Sequence, residues 1–106
     1  MIDELAIRDA VNLLLKAAPK DSTVILFGSY ARGQARPGSD LDFLVVEPKP
    51  KSELDEAVRL RRSLRGLPVA VDILVASKET FLYWADTPNT VYYRAAKEGK
   101  VYEQVA

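Results

Sequence analysis

The sequence predicts an α+β fold, a small mixed β-sheet with helices mainly on one face. Three observations carry that expectation. Apolar residues alternate between helical spacing and β-branched runs. Glycine and proline stand where those patterns stop. The resulting order is helix, strand, helix-like turn, strand, helix, strand, helix, helix, which packs as a sheet covered by helices.

The elements follow in order. Ile7, Val11, Leu14 and Ala18 recur at helical spacing until Pro19, so a first helix spans about 2–18. Asp21 and Ser22 turn the chain into a strand from Thr23 to Phe27, which stops at Gly28. A polar, glycine-containing stretch reaches Ser39, and a second strand covers Asp40 to Val46, closed by Pro48 and Pro50. Ser52 caps a helix running to about Arg65, with Leu54, Ala57, Val58, Leu60 and Leu64 apolar and Gly66 as its terminal glycine. Val69 to Ala76 reads as a third, largely buried strand. Ser77 caps a short helix holding Phe81, Leu82 and Trp84, and Thr87-Pro88-Asn89 breaks it. A last helix spans about Val91 to Glu98 and ends at Gly99, leaving Val101 to Glu103 as a short edge strand.

Composition narrows the function. The 106 residues suit one domain, residues 1–106, with no separate substrate domain. Fifteen Lys and Arg balance fifteen Asp and Glu, which argues against long nucleic acid or an anionic membrane as partner. Cysteine and histidine are both absent, so catalytic bases and metal ligands must come from oxygen-bearing or lysine side chains, and oxygen ligands favour magnesium or manganese. No apolar run approaches the ~20 residues of a membrane span, and the acidic start at Asp3 and Glu4 is unlike a signal peptide. A cytoplasmic protein is expected.

The informative stretch runs from Gly28 to Asp42. A Gly-Ser pair, Gly28 and Ser29, at the end of a buried strand lets backbone N–H groups and a hydroxyl approach phosphate oxygens. Asp40 and Asp42 lie two apart, so both carboxylates leave one face of the strand while Leu41, Phe43 and Val45 pack on the other. Converging carboxylates repel unless a cation lies between them. In the third strand Asp72 is the one charge in an apolar run, where burial without a partner would cost several kcal/mol. Beside Asp40 and Asp42 it would complete a set of three carboxylates able to hold two divalent ions.

Gly-Ser, ten intervening residues and Asp-x-Asp resemble the signature of the DNA polymerase β-like nucleotidyltransferase superfamily, with Asp72 where its third carboxylate is expected. The chain as a whole looks like a minimal nucleotidyltransferase. Its ending from Tyr93 to Glu103 is similar to that of the minimal nucleotidyltransferase antitoxins paired with HEPN-domain ribonuclease toxins. The resemblance implies a nucleotidyltransferase fold, with ATP as substrate and two magnesium or manganese ions. It also implies transfer of AMP to a tyrosine hydroxyl of a HEPN-family toxin.

Other residues admit plainer readings. Arg32 could neutralise triphosphate charge or simply stand in solvent, and Arg36 is weaker still as a candidate. Arg59, Arg61, Arg62 and Arg65 alternate with Asp55 and Glu56 and read as a solvated, salt-bridged face rather than an RNA or partner site. Phe81, Tyr83, Trp84, Tyr92 and Tyr93 read as core before interface. Two rival functions remain, nucleotidyl transfer to a small molecule and a non-catalytic antitoxin that covers its toxin.

Overall fold

A computed structural model describes residues 2–104. The elements are α1 (Glu4–Ala17), β1 (Thr23–Phe27), β2 (Leu41–Glu47), α2 (Glu53–Arg62), β3 (Val71–Ser77), α3 (Lys78–Trp84), α4 (Val91–Glu98) and β4 (Lys100–Glu103). The strands form one sheet in the order β3-β2-β1-β4. β1 runs antiparallel to β2 and β4, whereas β2 and β3 are parallel, so the sheet is mixed as the sequence predicts. Parallel neighbours require a crossover, and α2 supplies it. Among the described residues no helix is long and apolar enough to cross a membrane.

Each helix begins on a side-chain cap that takes up a backbone donor left over in its first turn. Asp3, Ser52, Ser77 and Thr90 accept from the N–H groups of Ala6, Asp55, Thr80 and Tyr93 at 2.9, 3.2, 3.0 and 3.1 Å. Gly99 ends α4 with φ −76°, outside the left-handed region. A Cβ there would strike the Ala95 carbonyl and the Ile25 side chain, so the glycine permits close approach of α4 to β1.

Strand alternation divides the core into two layers. Val24, Leu26, Leu41, Phe43, Val45, Val71 and Val75 pack against Ala10, Val11 and Leu14 of α1 and Leu60 and Leu64 of the α2 region. On the opposite face Ile25, Phe27, Leu44, Val46 and Ala76 meet Ala95, with Phe81, Val91 and Tyr92 partly buried beside them. The two longer helices thus share one face, and the shorter α3 and α4 cover part of the other.

Leu54 and Val58 of α2 are exposed, whereas Leu60 and Leu64 are buried against the sheet. Two expectations need correction. Tyr83 and Trp84 are exposed, their rings stacked edge to face on each other on the solvent side of α3. Of the basic run, only Arg59 pairs with an acidic residue among the described residues, Glu56, and it also donates to the Ala17 carbonyl at 2.8 Å, joining α2 to the end of α1.

At the far end of β2, Glu47 is 1% exposed, and its Oε2 has no partner among the described residues. Burial, then the neighbouring Glu56, pushes its pKa up from 4.5 to about 8, while Arg59 holds Glu56 down near 2. A protonated Glu47 can donate to Glu56, which explains how the fold tolerates both carboxyl groups. Because the folded pKa of Glu47 exceeds the unfolded value, its stabilising effect is complete below pH 4.5 and is lost as pH rises towards 8. Glu56 acts in a separate window below pH 4.5. Glu47→Gln, whose amide still donates to Glu56, should abolish the decline and raise unfolding free energy at pH 8.5 by roughly 1–3 kcal/mol, measured by urea denaturation at pH 5 and 8.5.

Candidate functional site

The sheet brings the motif residues together at one end. Phe27 is the last residue of β1 and pairs with Asp42, so Gly28 leaves the sheet directly beside that carboxylate. Gly28 has φ +80°, in the left-handed region, and any Cβ there would collide with the Asp42 carboxylate. Only glycine satisfies both conditions. The chain then folds into a compact turn in which Arg32, Gly33 and Gln34 donate to Gly28, Tyr30 and Ser29 carbonyls at 3.1, 3.4 and 2.9 Å. The N–H groups of Ser29 and Tyr30 stay outside that set of bonds. Tyr30 is buried in the core and its hydroxyl accepts from the Ile2 N–H at 3.2 Å, which fixes the turn on the body of the protein.

A second turn aims the acidic pair. Ser39 donates to the Arg36 carbonyl at 2.9 Å across Pro37 and Gly38, and Gly38 has φ +89°. This is the geometry of a type II turn, with proline and glycine at the positions that need them. Leu41 N–H then bonds the Ala70 carbonyl at 2.9 Å and starts the pairing with β3. Asp40 therefore sits one residue before β2, exposed, rather than within the strand. Leu41, Phe43 and Val45 are fully buried on the opposite face, as the alternation predicts.

Parallel pairing puts Asp72 in register with Asp42. Asp72 is exposed, which corrects the expectation of a buried carboxylate: β3 is an edge strand, and Asp72 opens on a cleft at that edge. The desolvated member is Asp42. Its pKa is raised by burial first, then by the charges of Asp72 and Asp40 and a hydrogen bond shared with Asp72, with Arg94 opposing. Among the described residues no three acidic side chains gather tightly enough to cage a metal ion, so Asp42 and Asp72 are the pair that meets and Asp40 adds charge from the side. An all-oxygen donor set under mutual repulsion still fits a hard divalent cation.

The pair opens into a cleft of about 450 Å³ between α2, β3 and α4. Arg94, which sequence reasoning passed over, and Arg61, which it assigned to a solvated face, also line it. Arg94 lies 5.6 Å above the Phe27 ring, held there because the next residue, Ala95, is fully buried against the sheet. Arg32 is elsewhere: it bonds Glu98 and Gln34, both at 3.1 Å, and is not part of the cleft lining. It would have to leave Glu98 to reach a triphosphate.

Asp42→Asn should raise stability in metal-free buffer at neutral pH by roughly 0.5–1.5 kcal/mol, a modest gain because the site is partly wet. Asp72→Asn should change it less. Thermal denaturation of both variants checks the order, and a larger gain for Asp72→Asn would reverse the assignment of the desolvated carboxylate.

Known proteins resemble the chain in sequence and in fold. A family model described as a nucleotidyltransferase domain matches residues 7–102. A Methanocaldococcus jannaschii protein named as a candidate protein adenylyltransferase is 36% identical over 106 residues, covering 95% of this chain and 98% of the relative. A candidate nucleotidyltransferase from Sulfolobus solfataricus, solved by crystallography, superposes with a TM-score of 0.61 at 23% identity, over 92% of this chain and 76% of that one. A toxin-antitoxin complex crystallised with AMP-PNP superposes at 0.59 and 23% identity, over 97% and 75%. A mutant of the MntA-HpeT toxin-antitoxin does so at 0.58 and 18% identity, over 92% and 73%. With the family model spanning nearly the whole chain, this protein belongs to the nucleotidyltransferase domain family.

Proposed function

We propose that the protein transfers AMP from ATP to a hydroxyl of a partner protein: a tyrosine of a HEPN-family toxin that it thereby silences in the cytoplasm. The observation that carries this reading is the register of Asp42 with Asp72 beside the Gly28-Ser29 turn. It is supported by the near equal length of the relative named as a candidate protein adenylyltransferase, and by the fold shared with two toxin-antitoxin proteins.

The residues divide the work. Ser29, through its hydroxyl and backbone N–H, holds the triphosphate at the turn, and Gly28 keeps the backbone close to Asp42. Asp42 and Asp72, with Asp40 drawn in beside them, would hold magnesium or manganese, which would neutralise the phosphates and make the acceptor hydroxyl more acidic. The acceptor oxygen forms a bond to the α-phosphorus of ATP. The bond from that phosphorus to the bridging oxygen breaks, and pyrophosphate leaves with its electron pair. Asp72, exposed at the mouth of the cleft, takes the hydroxyl proton. Arg94, and Arg32 once released from Glu98, are the cations positioned to balance charge on the phosphates.

Two outcomes follow. Ser29→Ala should weaken ATP binding by roughly 1–3 kcal/mol in calorimetry without unfolding the chain. Asp72→Asn should abolish the nucleotide adduct on a co-expressed toxin, read by mass spectrometry, while ATP binding largely survives, and excess EDTA should abolish the adduct in the wild type. A toxin neutralised in full by Asp72→Asn without any adduct would replace catalysis with steric binding.

A further inference from the structure

α2 carries an exposed stripe that neither the core nor the reaction uses. Leu54, Val58 and Arg61 recur at intervals of four and three residues, the spacing of one helical face, and Arg65 follows in the turn that ends α2. Leu54 is 75% and Val58 47% exposed, and Leu74 of β3, across the groove from them, is 45% exposed. Arg61, Arg62 and Arg65 make no ion pair with another described residue. The cleft at Asp72 continues into a second hollow of about 400 Å³ between the end of α2 and the start of β3, and Val58 and Arg61 line both. One track therefore runs from an apolar end, past the carboxylate pair, to a basic end.

We infer that this groove between α2 and β3 is where the acceptor protein docks, through a segment with apolar residues on one side of its acceptor hydroxyl and acidic residues on the other. This rests on the transfer reading above and adds the chemistry of the partner's segment. Charge decides the occupant. Three unpaired arginines at one end call for an anionic ligand, and three exposed aliphatic side chains at the other call for an apolar one. Single-stranded nucleic acid would meet the arginines but would find no aromatic ring in the α2 and β3 walls on which to stack a base, and the chain has no basic excess. A protein segment satisfies both ends, with its hydroxyl at Asp72 in between.

The test uses the full chain with ATP, magnesium and three fluorescent probes. The first is a synthetic peptide with leucine and valine, one tyrosine, then three glutamates. The second has lysines in place of the glutamates, and the third is a short single-stranded RNA. The wild type should bind the acidic peptide in anisotropy titrations, less tightly as salt rises, and should bind the lysine peptide and the RNA weakly. Arg62→Glu with Arg65→Glu, both outside the cleft that holds the carboxylates, should weaken the acidic peptide by about tenfold and favour the lysine peptide, with ATP affinity in calorimetry unchanged. Equal binding of the two peptides by the wild type, tighter binding of the RNA, or a matching loss of ATP affinity in the variant would overturn the docking assignment. Mass spectrometry of the bound peptide reports separately on transfer: charge-dependent binding without an adenylyl adduct supports the docking track and counts against the transfer reading.

Discussion

Everything at the site depends on two carboxylates held side by side by backbone pairing. The parallel register of β2 and β3 leaves Asp42 and Asp72 no way to separate without breaking the ladder. Repulsion between them is therefore built into the fold, and after burial it is the next cause that raises the pKa of Asp42. The core supplies the energy that maintains it. Leu41 and Phe43, on either side of Asp42, are fully buried on the opposite face and anchor the strand.

The surroundings of that pair make chemical sense together. Gly28 removes the one side chain that would push Asp42 aside, and the turn after it presents Ser29 to the same space. Arg94 brings a positive charge from α4, whose close seating on β1 depends on Gly99. The Arg32–Glu98 ion pair ties the Gly28 turn to that same helix. Cation, anion and hydroxyl donors thus come from four separate elements, all fixed to one end of a four-stranded sheet. The other end has its own carboxyl pair, Glu47 and Glu56, balanced by a shared proton and Arg59 rather than by a cation.

Much of this was legible in the sequence because it is local. The spacing from Gly28 to Asp42 encodes two tight turns and the start of a strand, and strand alternation correctly separated Asp42 from Leu41 and Phe43. Asp72 was legible as the odd charge in an apolar run, though for a reason the fold revises: it lies on an edge strand and is exposed. Arg61 and Arg94 were not legible, since their position depends on how α2 and α4 cross the sheet. Tyr83 and Trp84 misled for a related reason, because α3 is too short to turn every large side chain inward. Glu47 gave no sign at all, as burial at a strand end is set by the α2 residues packed over it.

Manganese binding followed by electron paramagnetic resonance tests the central claim most directly. With a non-hydrolysable ATP analogue present, the wild type should remove free manganese from solution, and Asp42→Asn should lose most of that capacity because one member of the paired carboxylates is gone. Manganese uptake by Asp42→Asn equal to that of the wild type would show that the Asp42–Asp72 register does not build a cation site, and the account would fail at its base.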